Sequence, residues 1–295
     1  MRVTIAARAK INLDLRVLER RADGYHELQT IFQELELHDT VSVERAPGPF
    51  RLAGEPGRMP LDRSNLAWRA AAALWRVAGR PGEPEGARIR IRKRIPLQAG
   101  LGGGSTDAAA ALLGLNRVWR LALTRPALAA VGAEIGADIP FFLIGGAAMG
   151  LERGEALYPL VDLPPTPVVL VVPPFGVPTG DAYEWLAEER ARASQLPAPV
   201  PAPGRAGWLT LGTCQNDFEA VVERRHPEIR TLREALSHHG ARLARLSGSG
   251  SAVFGLFGSS RQAALAARHL AGDGRTVFRT RTSPRRASAR RGWSA

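Results

Sequence analysis

Four glycines stand within five positions, Gly100 and Gly102–Gly104, and two hydroxyls, Ser105 and Thr106, follow at once. Glycine has no Cβ, so such a backbone can take φ > 0 and approach a ligand closely. Successive free N–H groups in a loop of this kind form a nest for an anion. If a helix begins where the glycines end, its unpaired N–H groups and its dipole favour the same negative charge. The chemistry suggested is phosphate binding. The same glycines also fit a flexible turn or a tight helix–strand contact. Three familiar phosphate loops are excluded by spacing. Ser105 stands where a Walker loop needs Lys, and where a dinucleotide fold needs its last Gly. Nor does the protein-kinase glycine pattern fit, and no HRD or DFG set follows it.

The flanking sequence supplies the elements that must hold this loop. Before it, Ala87–Ile95 alternates apolar and basic residues, the period of a strand with one wet face. After it, Ala108–Ala111, Leu112, Leu113 and Leu115 predict a helix, with Ser105, Thr106 or Asp107 as its cap. Val3–Val17 reads as a strand, bent or bulged around "ARAKIN", and Asp23-Gly24 as a turn before further strand material. The segment from Leu66 to Val77 repeats apolar residues at spacings of three and four, an amphipathic helix. A helix is expected from Arg125 and broken at Gly136 and Pro140, with strands continuing to about Tyr158. Strands and helices alternate through the C-terminal half, around a second glycine turn at Gly248 and Gly250, and "RTVFRTR" at 275–281 reads as a final strand. Leu196–Gly204 has four prolines in nine positions and reads as a surface excursion. There is no strict βαβ alternation, so the class is α+β.

Composition narrows the function. At 295 residues, 45% hydrophobic and 23% charged, the chain is an ordinary globular sequence. Its net charge of +12 suggests nucleic acid, but Arg275–Ala295 carries seven arginines and no acid. That stretch is expected to be a solvated, disordered tail, and with few aromatics it offers no stacking platform. Nucleic-acid contact is therefore the minority reading. A single cysteine, Cys214, excludes an internal disulfide and fits a cytoplasmic setting. The N-terminus has no signal-peptide pattern, and no apolar run reaches the roughly 20 residues that span a bilayer. Six histidines show no zinc-hydrolase pairing. Only two of the 40 basic residues are lysines, Lys10 and Lys93, which singles out a lysine in a strand region.

Three stretches together resemble the GHMP kinase superfamily of small-molecule kinases: Ala7–Leu15, Pro96–Ala111 and Leu246–Phe257. The resemblance runs from Arg2 to about Phe278. Within it, Ala9–Asp39, above all "RRADGYHEL", and Gly136–Phe142 are similar to a branch acting on an alcohol that carries a cytidine diphosphate group. Thr106 stands where that pattern usually has Ser. The resemblance implies two domains, ribosomal-protein-S5-like over residues 1–155 and ferredoxin-like over 156–295 with a basic tail at 275–295. It implies transfer of the ATP γ-phosphoryl group to a tertiary hydroxyl of a methylerythritol unit, a step in non-mevalonate isoprenoid precursor synthesis, with Mg²⁺ as cofactor. A kinase for another small alcohol, or a non-catalytic nucleotide- or RNA-binding protein, stands as the alternative.

The site residues follow from the same resemblance. Pro96, Ala99, Gly100, Leu101, Gly102, Gly103, Gly104, Ser105 and Thr106 would hold ATP. Asp138 would accept or orient the acceptor proton, with Lys10 beside it and the transferring phosphoryl. Asn12 would hold polar substrate groups, and Tyr25, His26, Thr179 and Tyr183 the cytidine end. The residues alone admit blander roles: a turn for Tyr25 and His26, core packing for Tyr183, a turn carboxylate for Asp138, a solvated cation for Lys10. Metal ligands are not assigned.

Overall fold

The computed structural model describes residues 1–55, 57–193 and 211–285. The proline-rich segment 196–204 and positions 286–295 of the basic tail lie outside these residues.

Two long strands dominate the N-terminal half. β1 (Arg2–Arg20) and β2 (His26–Pro49) pair antiparallel, with register shifts between Arg8 and Lys10 and between Asn12 and Asp14. The bend expected around "ARAKIN" is thus a pair of irregularities flanking Lys10 and Asn12, and both side chains are buried. β3 (Arg51–Gly54), β4 (Glu85–Arg92), β5 (Ala147–Leu151) and β6 (Ala156–Pro159) complete a six-stranded sheet in the order β3-β4-β2-β5-β6, with β1 on β2. α1 (Leu66–Val77) and α2 (Gly103–Val118) pack together against it. The alanine face of α2 buries Ala108–Ala111, Leu112 and Leu115 with Val41, Val43, Ile89 and Leu74. Small side chains let this helix sit close: a Cβ at Gly114 would overlap Val43.

A second, four-stranded antiparallel sheet runs β10-β7-β9-β8, from β7 (Pro167–Val172), β8 (Ala241–Leu246), β9 (Val253–Phe257) and β10 (Thr276–Arg281). α5 (Thr179–Ala193), α6 (Glu219–Arg225), α7 (Pro227–His238) and α8 (Ser260–His269) accompany it. The two sheets share a core in which Ile11, Leu13 and Leu35 meet Leu170, Phe254 and Leu256. β1 runs on so that Leu15 and Val17 join the core of the second unit.

Four expectations change. The division at 155/156 moves past Pro159, because β6 pairs with β5 inside the first sheet. The basic stretch is not a free tail from Arg275, since Thr276–Arg281 pairs with β7 and Ser283 N–H donates to the Glu34 carbonyl at 2.8 Å. Arg279 and Arg281 alternate along this strand with the half-buried Phe278 and Thr280, and Phe278 packs on the core between the sheets. Pro140 does not break a helix. It sits in the first turn of α4 (Ile139–Ile144), where the missing N–H costs nothing. Finally, no side chain caps α2: its N-cap is Gly102, in the left-handed region at φ 71°.

Candidate active site

The uncapped start of α2 opens on a cleft of about 300 Å³ between the two sheets. Pro96, Ala99, Gly100, Leu101, Gly102, Gly103, Gly104 and Ser105 line one wall. Thr106 does not join them. It is 2% exposed, one position further into the helix, with its N–H bonded to the Gly102 carbonyl at 2.9 Å. Two glycines here are required by geometry. At Gly100, φ is 71° and a Cβ would run into the Ser247 carbonyl; at Gly102, φ is 71° and a Cβ would lie 2.5 Å from Phe142 and 3.1 Å from Lys10 Cγ. The second glycine turn braces the first. Ser247 Oγ donates to the Gly100 carbonyl at 3.0 Å, and Ala252 N–H to the Ala99 carbonyl at 3.2 Å.

Across the cleft, Lys10 Nζ lies 3.5 Å from Asp138 Oδ2. The lysine is buried and the carboxylate is about one-third exposed, 33%. Lys10 is fixed from below: Nζ donates to Asn12 Oδ1 at 2.6 Å, Asn12 Nδ2 donates to Thr30 Oγ1 at 2.8 Å, and Thr30 donates to the Asp14 carbonyl at 2.7 Å. The ammonium also lies 5.5 Å from the Phe32 ring centre. Asp138 precedes α4 and makes no capping bond, so its carboxylate stays available to the cleft.

A wider groove of about 760 Å³ continues from this point, sharing Ser105, Asp138, Thr179 and Tyr183 with the cleft and adding Tyr25, His26, Arg69 and Arg153. His26 stacks on Tyr183, ring centres 5.2 Å apart and 20° from parallel. Tyr183 in turn meets the edge of Phe218 at 4.9 Å. Burial, and then the nearby Asp138 charge, push the Tyr183 hydroxyl up to about 12, so it stays protonated and can donate. Burial lowers the His26 pKa, with Arg190 and Arg20 adding to it, so the ring is neutral at pH 7 and offers one donor and one acceptor. Tyr25 stands apart, 59% exposed and under Arg153 at 5.2 Å. Thr179 Oγ1 and Ser249 Oγ, 3.2 Å apart, join the wall on the second-sheet side.

Several residues of this site escaped the sequence reading. Thr30 links Asn12 to β1. Asn216 holds the second glycine turn, donating to the Leu246 and Gly248 carbonyls at 2.9 and 2.8 Å. Beneath the glycine loop, Lys93 bonds both Asp39 and Asp107, the latter at 2.7 Å. Only Lys93 carried a signal, as one of two lysines. Asn65 caps α1, accepting from Ala67 N–H at 2.9 Å.

Comparison with known proteins agrees with this geometry. Residues 65–146 match the GHMP kinases N terminal domain, and residues 206–275 the GHMP kinases C terminal domain. The chain belongs to the GHMP kinase family. It is a small-molecule kinase of α+β fold, with ATP as co-substrate. Among its relatives, the 4-diphosphocytidyl-2-C-methyl-D-erythritol kinase of Moorella thermoacetica is 44% identical over 262 residues, 86% of this chain and 90% of that protein. The protein of the same name from Pelotomaculum thermopropionicum is 40% identical over 291 residues, 97% of this chain and 100% of that one. A crystal structure of 4-(cytidine 5'-diphospho)-2C-methyl-D-erythritol kinase superposes with a TM-score of 0.80 at 37% identity, over 95% of this chain and 99% of the other. A homoserine kinase from Cytophaga hutchinsonii shares the fold, with a TM-score of 0.71 at 17% identity over 96% of both chains.

Proposed function

We propose that this kinase transfers the γ-phosphoryl group of ATP to the 2-hydroxyl of 4-diphosphocytidyl-2-C-methyl-D-erythritol, in the non-mevalonate isoprenoid precursor pathway. The observation that carries this reading is the placement of Lys10 and Asp138, 3.5 Å apart, between the free amides of α2 and the stacked His26–Tyr183 pair. In this reading the phosphates lie on Gly100–Ser105, where the uncapped N–H groups and the helix dipole offset their charge. The cytidine diphosphate end lies in the groove. Its base is read by neutral His26 and by Tyr183, with Tyr25 and Thr179 at the margins.

Phosphoryl transfer needs alignment and charge stabilisation more than covalent participation. Lys10 supplies a desolvated positive charge at the transferring group, held in place by Asn12 and Thr30. Asp138 accepts or orients the acceptor proton. A loose transition state needs the proton removed late, so a carboxylate, a weak base, serves. Mg²⁺ bound with the nucleotide would supply further charge neutralisation. Among the described residues no cluster of three or more His, Cys, Asp or Glu could hold a metal. Ser105 and Asp138 are the donors that fit an ion kept mainly by phosphate oxygens and water.

The two units divide this work. The first sheet carries the loop, Lys10 and Asp138, and the second presents Thr179, Tyr183 and the bracing turn. No helix among the described residues is long and apolar enough to cross a membrane. A lone buried Cys214 fits a reducing compartment, and we place the enzyme in the cytoplasm. An ATPase-coupled assay over a panel of alcohols tests the assignment. Turnover should require the cytidine-bearing acceptor. Comparable efficiency with homoserine or mevalonate would move this chain to another branch of the family.

A further inference from the structure

Beneath the phosphate loop, on the side away from the cleft, lies a closed ionic cluster. Lys93, just past β4, is 6% exposed; Asp39, near the middle of β2, is 0% exposed; Asp107, in the second turn of α2, is 3% exposed. Lys93 Nζ donates to Asp107 Oδ2 at 2.7 Å and to Asp39 Oδ2. Asp39 Oδ1 accepts from the N–H groups of Ile95, at 2.8 Å, and Arg94. The cluster therefore ties β2, the strand-to-loop segment and α2 together. It is adjacent to the loop, since a Cβ at Gly103 would lie 3.3 Å from Lys93 Nζ.

Its charge does not balance. One ammonium faces two carboxylates, all removed from water, and Asp107 Oδ1 has no hydrogen-bond partner. Both carboxyl groups bond the same ammonium, Lys93 Nζ. Burial first, and the Asp39 charge with it, favour the protonated form of the Asp107 carboxyl, against the pull of Lys93. The charged groups acting on Asp107 are Lys93, from the segment after β4, and Asp39, from β2. Hydrophobic residues of β1, α1, α3 (Arg125–Ala133) and α4, among them Ile5, Leu74, Leu128 and Ile139, form the core with α2. Lys10 of β1 and Asp138 before α4 are paired with one another on the cleft side.

We propose that Lys93, Asp39 and Asp107 are positioning residues for the phosphate loop, and that a proton on Asp107 is held more tightly when ATP occupies the loop. The reason is electrostatic. With the proton, the cluster is neutral; without it, a buried negative charge lies behind the amides that must receive the triphosphate. Nucleotide binding and proton loss therefore oppose each other, and by linkage each weakens the other equally. The position of the Asp107 carboxyl, which burial raises to about 7, puts this coupling in the neutral range. The inference rests on the reading that ATP phosphates lie on this loop.

Asp107→Asn provides the test, because the amide keeps the shape and an acceptor for Lys93 but cannot titrate. In the wild type, KM for ATP should rise about threefold or more between pH 6 and pH 8.5, with kcat changing less, as a charge appearing in a partly screened interior requires. The variant should lose that rise. Calorimetry with a non-hydrolysable ATP analogue, in buffers of different ionisation enthalpy, should show a proton taken up near pH 7 by the wild type beyond that seen with Asp107→Asn. A flat wild-type profile, or equal proton uptake by both proteins, overturns the inference while leaving the ATP site intact. Failure of the analogue to bind at any pH removes the site reading and this inference with it.

Discussion

Two lysines flank one glycine loop, and their surroundings are opposite. Lys10 faces the cleft, with a single carboxylate at 3.5 Å that is one-third exposed. Lys93 faces the core, with two carboxylates that are both buried. The first pair is loose and reachable by a ligand. The second is tight, sealed and bonded to backbone on the loop's approach. An ion pair that must exchange partners with a substrate needs a weak hold on its own partner, whereas one that fixes a backbone needs the reverse. In the proposed reading the same side-chain chemistry serves reaction on one side of the loop and placement on the other.

The largest test of that contrast is on the open side. Asp138→Asn should lower kcat by about 10²- to 10⁴-fold, the range for loss of a positioned acid–base group. The dissociation constant of an ATP analogue should stay within a few-fold, because the loop amides are untouched. A variant that turns over at near-normal rate takes Asp138 out of the reaction.

The loop itself gives the next effect. Gly100→Ala places a Cβ against the Ser247 carbonyl at a φ of 71°, so the backbone must move. KM for ATP should rise by about tenfold or more, and the melting temperature should fall, since such strained substitutions destabilise by more than ~1 kcal/mol. Gly104→Ala is the matched control. Its Cβ would meet only Leu66, at 3.5 Å, which is ordinary contact, and alanine favours the helix there. Equal damage from both changes would mean that glycine is needed for ligand approach alone and not for the turn.

On the acceptor side the effect is smaller and confined to one substrate. His26→Ala removes the partner of Tyr183, and KM for the cytidine-bearing acceptor should rise about tenfold, the scale of one base–aromatic stack. KM for ATP should hold. Because burial keeps His26 neutral at pH 7, the wild-type acceptor KM should show no histidine step above pH 6.5.

These contrasts also explain what could be read beforehand. The loop, the helix after it and the strand before it were legible because each is a local pattern: glycine run, alanine run, alternation. Lys10 and Asp138, 128 positions apart, came together only through resemblance, since no local rule brings a strand bulge beside a helix start. The cap of α2 was misread for a related reason. Ser105 and Thr106 have capping chemistry, but the chain turns into the helix earlier, with its cap at Gly102. Thr106 was assigned to ATP through the resemblance, and one residue of helical rotation buries it. The basic stretch looked disordered by charge, yet Val277 and its pairing with β7 place Thr276–Arg281 in the sheet. The Lys93 cluster was invisible because its partners lie 54 and 14 residues away, on two different elements.

The closed side gives the smallest effect, and its sign separates it from the rest. Asp107 holds its proton in the folded protein up to a pH of about 7, whereas an unfolded Asp releases it near 3.9. Between those values the folded state binds more protons than the unfolded one, so this group lowers stability as pH rises from about 4 to about 7. Below that window both states are protonated, and above it the full penalty is present. Asp107→Asn has no such proton. Its amide adds a donor where Oδ1 was unpartnered, which shifts stability by an amount that does not depend on pH. The difference in melting temperature, variant minus wild type, should therefore climb by about 2–5 °C across pH 4 to 7 and then level off. Other buried acids, such as Glu219 and Asp14, titrate in both proteins and cancel in the difference. A difference that stays constant from pH 4 to 8 would mean that the cluster holds no proton, and Lys93 would then be a plain structural tie beneath the loop.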